Sequence, residues 1–179
     1  MRSKLLRRVI PTLALMAIAA TAWAAHVSHP ATPTFHKTAW SLPIDPWGPG
    51  QAYLCPAGAC TTDVRLYART KTGFCNCFGG VADDDEIDRI GDVDLHGDDF
   101  TGTAPGITTE LAGLKGRARM FKTTAPLGTS RRVLSIVVAS DCKAVVATLV
   151  SDRDIPTDVE TSARTLLAGA DFQKWVTAQ

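Results

Sequence analysis

The chain has 179 residues, 45% of them hydrophobic and 21% charged, a globular composition that excludes a wholly disordered, collagen-like or low-complexity protein. Its formal charge of +1 depends on Arg2, Lys4, Arg7 and Arg8 near the N-terminus; without those four, 15 of the 19 basic residues remain against 18 acidic ones, a net charge of −3. A slightly acidic body of one-domain size excludes a multidomain enzyme and wholesale nucleic-acid binding, which needs a cationic surface to neutralise phosphates.

Arg2 to Arg8 form a basic opening, Val9 to Ala20 an apolar run, and Ala22-Trp23-Ala24 a small-residue cleavage site, so residues 1–24 read as a signal peptide. The apolar run falls short of the ~20 residues that span a bilayer, so contact with a membrane is expected only through this segment if it stays uncleaved. The predicted location is the bacterial periplasm or the medium, where thiols tend to pair. Residues 25–50 hold five of the ten prolines and read as an extended arm, with Trp40 and Trp47 as its anchors. The remainder, 51–179, reads as one α+β domain.

Within that domain, Val64, Leu66 and Ala68 alternate with Arg65, Tyr67 and Arg69, the period of a strand with one wet face. Asp83 followed by Glu86 is a capping pattern that predicts a short helix over 84–90, ended by Gly91. A helix over 108–113 is a weaker expectation. From 114 to 121 a second alternation places Lys115, Arg117 and Arg119 on one face. Two apolar runs, Val133 to Ala139 and Ala144 to Val150, predict a hairpin buried on both faces. Thr157 with Glu160 is a further capping pattern, and Val159, Ala163, Leu166, Leu167 and Ala170 recur at helical spacing, so a closing helix is predicted over 158–176 with an interruption at Gly169. The fold class is therefore α+β, an antiparallel sheet containing the 133–150 hairpin, packed by a C-terminal helix and stapled by disulfides.

Five cysteines in an exported chain cannot all pair within one molecule. In an extended Cys75-Asn76-Cys77 the two side chains stand about 6.6 Å apart, too far for a mutual disulfide. The expected arrangement crosses Cys55 and Cys60 with Cys75 and Cys77 and leaves Cys142 as the free thiol. The same four sulfurs could instead hold Zn or Cu, or exchange disulfides.

Nine carboxylates fall between Asp83 and Asp99. Asp92, Asp94 and Asp98 offer an imperfect calcium loop, whose twelfth place is Thr103 where a bidentate Glu is expected. The plainer reading caps a helix with the first acids and solvates the rest, while a basic sheet face made by Arg65, Arg69, Lys115, Arg117 and Arg119 could hold the acidic segment internally, the favoured use, or receive an anionic ligand. His26 and His29 could bind Cu(II) beside a new N-terminus created by cleavage. No G-x-S-x-G, H-E-x-x-H or Gly-rich phosphate loop occurs. The sequence thus predicts a non-catalytic binding or accessory protein of the envelope, with no cofactor expected and Ca, Zn or Cu as the weaker alternatives. Its partner would be an envelope protein or a small ligand, and its alternative role thiol exchange or metal binding.

Overall fold

The computed structural model describes residues 32–73, 81–124, 128–140 and 142–179. Among them eight strands follow in chain order: β1 (His36–Thr38), β2 (Gln51–Cys55), β3 (Val64–Thr72), β4 (Asp99–Gly102), β5 (Ile107–Leu111), β6 (Leu114–Thr124), β7 (Ser130–Ser140) and β8 (Lys143–Ser151). They form one antiparallel sheet in the order β1-β2-β3-β8-β7-β6-β4, with β5 also paired to β6. The helices are α1 (Ala57–Cys60), α2 (Asp84–Ile90), α3 (Thr157–Ala168) and α4 (Ala170–Thr177), and a 3-10 turn spans Val93–His96.

The two apolar runs form β7 and β8, the predicted hairpin, in register from Arg132↔Ser151 to Ser140↔Lys143. Their side chains alternate between two covered faces, which is why the runs are continuously apolar rather than alternating. On one face Leu134, Ile136, Ala147 and Leu149 pack with Leu66 and Ala68 against Val159, Ala163, Leu167 and Phe172 of α3 and α4. Val159, Ala163 and Leu167 recur every four residues, so they form the inward stripe of α3. Gly169 takes an extended conformation and divides the closing helix, as its composition predicts. The Thr157–Glu160 capping bond is not made: Pro156 occupies the cap position and no side chain caps it.

On the other face, Val133 and Val150 join a cluster with Tyr67, Val93 and Phe121, while Val137 and Val146 pack against Ile87 and Ile90 of α2. Helix α2 starts as predicted: Asp83 accepts from the Glu86 amide at 2.9 Å, and Glu86 accepts in return from the Ala82 amide at 2.8 Å. Residues of the predicted arm join the body, because His36–Thr38 pair with β2 and Phe35 is buried in the main core.

Two expectations are overturned. Residues 107–111 are a strand, not a helix: Ala112 and Gly113 take φ values of 52° and 80°, the two-residue turn that folds β5 back onto β6. The face carrying Tyr67 and Arg69 is not wet, since the two are 5% and 2% exposed. The arm and the 92–96 segment cover it.

Gly116 shows how tightly β6 meets β7. A β-carbon there would lie 1.9 Å from the Val137 carbonyl oxygen, so Gly116→Ala should push the two strands apart and cost about 2 kcal/mol, read as a lower urea midpoint. An unchanged midpoint would refute this reading of the contact.

Candidate ligand-binding cleft

The covered face of the sheet contains a buried charge cluster. Arg69 spans two carboxylates: its Nε and Nη2 donate to Asp92 at 2.7 and 2.6 Å, and its Nη1 and Nη2 donate to Asp45 at 2.6 and 2.7 Å. Lys71 also pairs with Asp92 and donates to the Ile90 carbonyl at 3.0 Å, satisfying an open carbonyl at the end of α2. Two cations and two anions balance. Burial opposes the charge on Arg69, but the hydrogen bonds from Asp92 and Asp45 outweigh it and hold its pKa above the ordinary value. The Arg69 hydrogen bond in turn keeps the Asp45 carboxyl below its ordinary range.

The acidic segment is held farther along the same face. Arg117 Nε donates to Asp84 at 2.6 Å and Arg119 Nη1 donates to Asp88 at 2.7 Å. The amide of Gly106, followed by Arg117 and Arg119, holds the Asp84 carboxyl below its ordinary range, whereas burial lifts that of Asp88. The basic face therefore engages the acidic segment within the molecule, although β3 and β6 are separated by β8 and β7. The plain solvated reading fails for Asp88 and Asp92, and Asp84, expected to favour the helix start, is ion-paired as well.

Three predicted sites need correction. Asp92 is buried with Arg69 and Lys71, whereas Asp94 and Asp98 are exposed, so the three do not converge as a cation site. Among the described residues no group of three or more His, Cys, Asp or Glu side chains is arranged to hold a metal. Cys55 is bonded to Cys60, not crossed with a later cysteine. The cause is local: Pro56 leads directly into α1, whose single turn carries Cys60 back to within 5.8 Å of Cys55, measured between α-carbons. Both sulfur residues are 0% exposed in the main core, which removes this pair from a four-thiolate metal site and from ready exchange. Cys142 is disulfide-bonded and is not a free thiol. Cys75, Cys77, His26 and His29 lie outside the described residues, as does the leader.

At one end of the covered face, beside the charge cluster, the sheet opens into a polar cleft of about 500 Å³. Tyr67, Val150 and His96 line it, with Ser41 and Leu42 of the arm and the guanidinium residues Arg65 and Arg131. Strand pairing explains the grouping: Arg65 lies opposite Val150 and Tyr67 opposite Thr148, and Val133, two residues after Arg131, is also opposite Val150. The arm crosses above, where Ser41 Oγ and the Tyr67 hydroxyl share a hydrogen bond of 2.8 Å.

His96 reaches the cleft from the 3-10 turn. Its ring packs 5.5 Å from that of Tyr67, and its Nε2 bonds the Thr148 hydroxyl at 2.9 Å. Burial drives the imidazole pKa down to about 4; Arg131 and Arg69 add to this and Asp92 opposes it, so the ring is neutral near pH 7. Arg65 has no hydrogen-bond or ion-pair partner among the described residues. Among the described residues Arg131 pairs with the exposed Asp152 alone, at 3.5 Å. The remaining acid of the lining, Asp63, accepts from the Ala57 amide at 2.8 Å.

A second depression of similar volume lies between β2 and the α3–α4 junction. There Tyr53 already donates to Gln51, and burial raises the phenol pKa. Its lining, which includes Lys37 and Asp171, is less polar than that of the cleft. The sequence reading missed the cleft because its residues come from distant segments; the alternation of Arg65 with Tyr67 was the one local signal.

No protein-family model and no curated protein sequence matches this chain. Among solved structures, it is similar to PA94, a protein of unknown function from Pseudomonas aeruginosa, at 12% identity with a TM-score of 0.42, covering 80% of this chain and 84% of that one. It is also similar to LpqN of Mycobacterium tuberculosis, described as involved in cell envelope biogenesis, at 18% identity with a TM-score of 0.34, covering 86% and 85% of the two chains.

Proposed function

We propose that the chain is an exported, non-catalytic binding domain of the bacterial envelope or medium, and that the polar cleft is where it meets its ligand. The observation that carries this reading is the uneven use of charge between the covered part of this face and its open end. Arg69, Lys71, Asp45 and Asp92 neutralise one another, whereas Arg65, exposed at the cleft, has no such partner among the described residues. Concave sites with a few convergent polar groups beside an apolar wall are where small ligands bind. The disulfides support the exported location, since such bonds persist where the surroundings are oxidising. No helix among the described residues is long and apolar enough to cross a membrane.

Thiol counting on protein from the native compartment tests the exported state. Of five cysteines, Cys55, Cys60 and Cys142 are bonded, and one further sulfur is required to complete the last pair. Denatured, unreduced protein should therefore show one free thiol and an intact mass four hydrogens below the reduced form. Five free thiols would overturn the reading. Catalysis is tested separately: the isolated domain should return a bound small molecule chemically unchanged, and turnover of that molecule would refute the non-catalytic part.

A further inference from the structure

We propose that the cleft binds a small molecule through an oxyanion group, a carboxylate or a phosphoryl group, held by Arg65 and Arg131. The inference rests on the binding-domain reading and adds its ligand class. Three features of the lining select an anion over a neutral or cationic ligand. Arg65 presents an unspent guanidinium, whose donors are arranged in a fork that matches oxyanions. Among the described residues Arg131 pairs with Asp152 alone, whose side chain is 68% exposed, and so loose an ion pair yields readily to a better-placed anion. Asp63 is turned to the Ala57 amide, which fixes one of its oxygens away from competition for the guanidinium groups.

The interior of the site suits the rest of such a molecule. Tyr67 and Val150 supply an apolar wall, while the Ser41–Tyr67 hydroxyl pair, with one hydrogen spent in its mutual bond, keeps one donor and free acceptor positions, so the polar tail of a ligand can be matched without a further charge. His96 sits at the back with Nε2 committed to Thr148. Its 3% exposure makes it a wall of the site rather than its entrance. The charge cluster behind is closed to a ligand, because Arg69 is itself enclosed by Asp45 and Asp92. The guanidinium groups at the open end are the ones an incoming anion meets first.

The test uses the mature, oxidised protein and two probes, inorganic phosphate and succinate, titrated separately at constant ionic strength and followed by amide chemical shifts. At least one probe should saturate and move the amides of Arg65, Tyr67, His96 and Ser151. Phosphate alone saturating identifies a phosphoryl ligand, and succinate alone a carboxylate. Arg65→Gln and Arg131→Gln should each weaken that binding at least about tenfold. Arg132→Gln, at an exposed pair with Asp154, should leave it unchanged. Failure of both probes to saturate, equal binding by all three variants, or shifts spread over the surface would overturn the assignment. Thiol counts and mass report on the exported, disulfide-bonded state independently, so a silent cleft in a correctly bridged protein removes the ligand class and leaves the broader reading intact.

Discussion

Arg69→Met should lower the unfolding free energy by about 3 to 5 kcal/mol, the largest effect expected of any single substitution in this protein. The guanidinium is 2% exposed and makes paired hydrogen bonds to both Asp45 and Asp92. Its removal leaves Asp92 buried with Lys71 as its remaining cation and frees Asp45 of its main partner. With one of its two cations gone, the buried Asp92 carboxylate is only partly compensated for leaving water, a cost that a methionine of similar length cannot offset. The loss should not be confined to the site, because Asp45 tethers the arm and Asp92 the segment between α2 and the 3-10 turn. Urea unfolding measures the total, and amide exchange at residues 40–48 reports release of the arm. Adding Asp45→Asn to the first variant should recover part of the loss, since it removes one of the stranded charges. A variant within about 0.5 kcal/mol of the parent would show that the cluster contributes nothing net.

The second large effect is a dependence on pH that belongs to His96. Its pKa in the folded protein is about 4, against an ordinary value of 6.5. Above pH 6.5 the ring is neutral in both folded and unfolded chains, and its contribution is fully present. As pH falls through 6.5 the unfolded chain takes up a proton that the folded one refuses, so stability declines by about 1.4 kcal/mol per pH unit. The decline continues to about pH 4, where the folded ring also protonates, and amounts to about 3 kcal/mol in all. The groups that set the value are burial first, then Arg131 and Arg69 against the opposing Asp92. Asp45 and Asp84, held below their ordinary carboxyl range, lose their contribution only at more acid pH, outside most of this window. Urea unfolding at pH 7, 5.5 and 4.5 should show the slope in the parent and a much flatter line in His96→Gln, with the difference between the two removing the contribution of Asp88. Parallel lines would refute the assignment to His96.

Both effects arise on a face that the alternation of β3 marks as polar. Arg65, Tyr67 and Arg69 share one side of a strand by their spacing alone, and that side is polar in composition. Spacing says nothing of what lies above it. The arm contributes Asp45 and the 3-10 region contributes Asp92, 24 and 23 residues away from Arg69, and together they turn a solvent face into a buried one. The cleft is a consequence of the same coverage. It remains open where Ser41 and Leu42 pass over the sheet, at the end where Arg65 and Arg131 lie on either side of β8.

Hydrophobic period and capping chemistry were sufficient for the elements whose stabilising contacts are near in sequence. Asp83 and Glu86 announce α2, the two apolar runs announce the β7–β8 hairpin, and the four-residue recurrence of Val159, Ala163 and Leu167 announces α3. The α+β class follows from these, because each carries its own signal within one turn or one strand length. Cysteine pairing, the burial of Arg69 and the strand at 107–111 were decided by tertiary structure. A disulfide depends on whether a turn such as Pro56 into α1 brings two backbones together, a buried cation on whether distant carboxylates arrive to neutralise it, and a short strand on whether β6 has a free edge to pair with. The Arg69 contacts span 23 and 24 residues, of which a local pattern contains no record, whereas the Cys55–Cys60 bridge and the β5–β6 hairpin are close in sequence but depend on turn geometry that hydrophobic period does not encode.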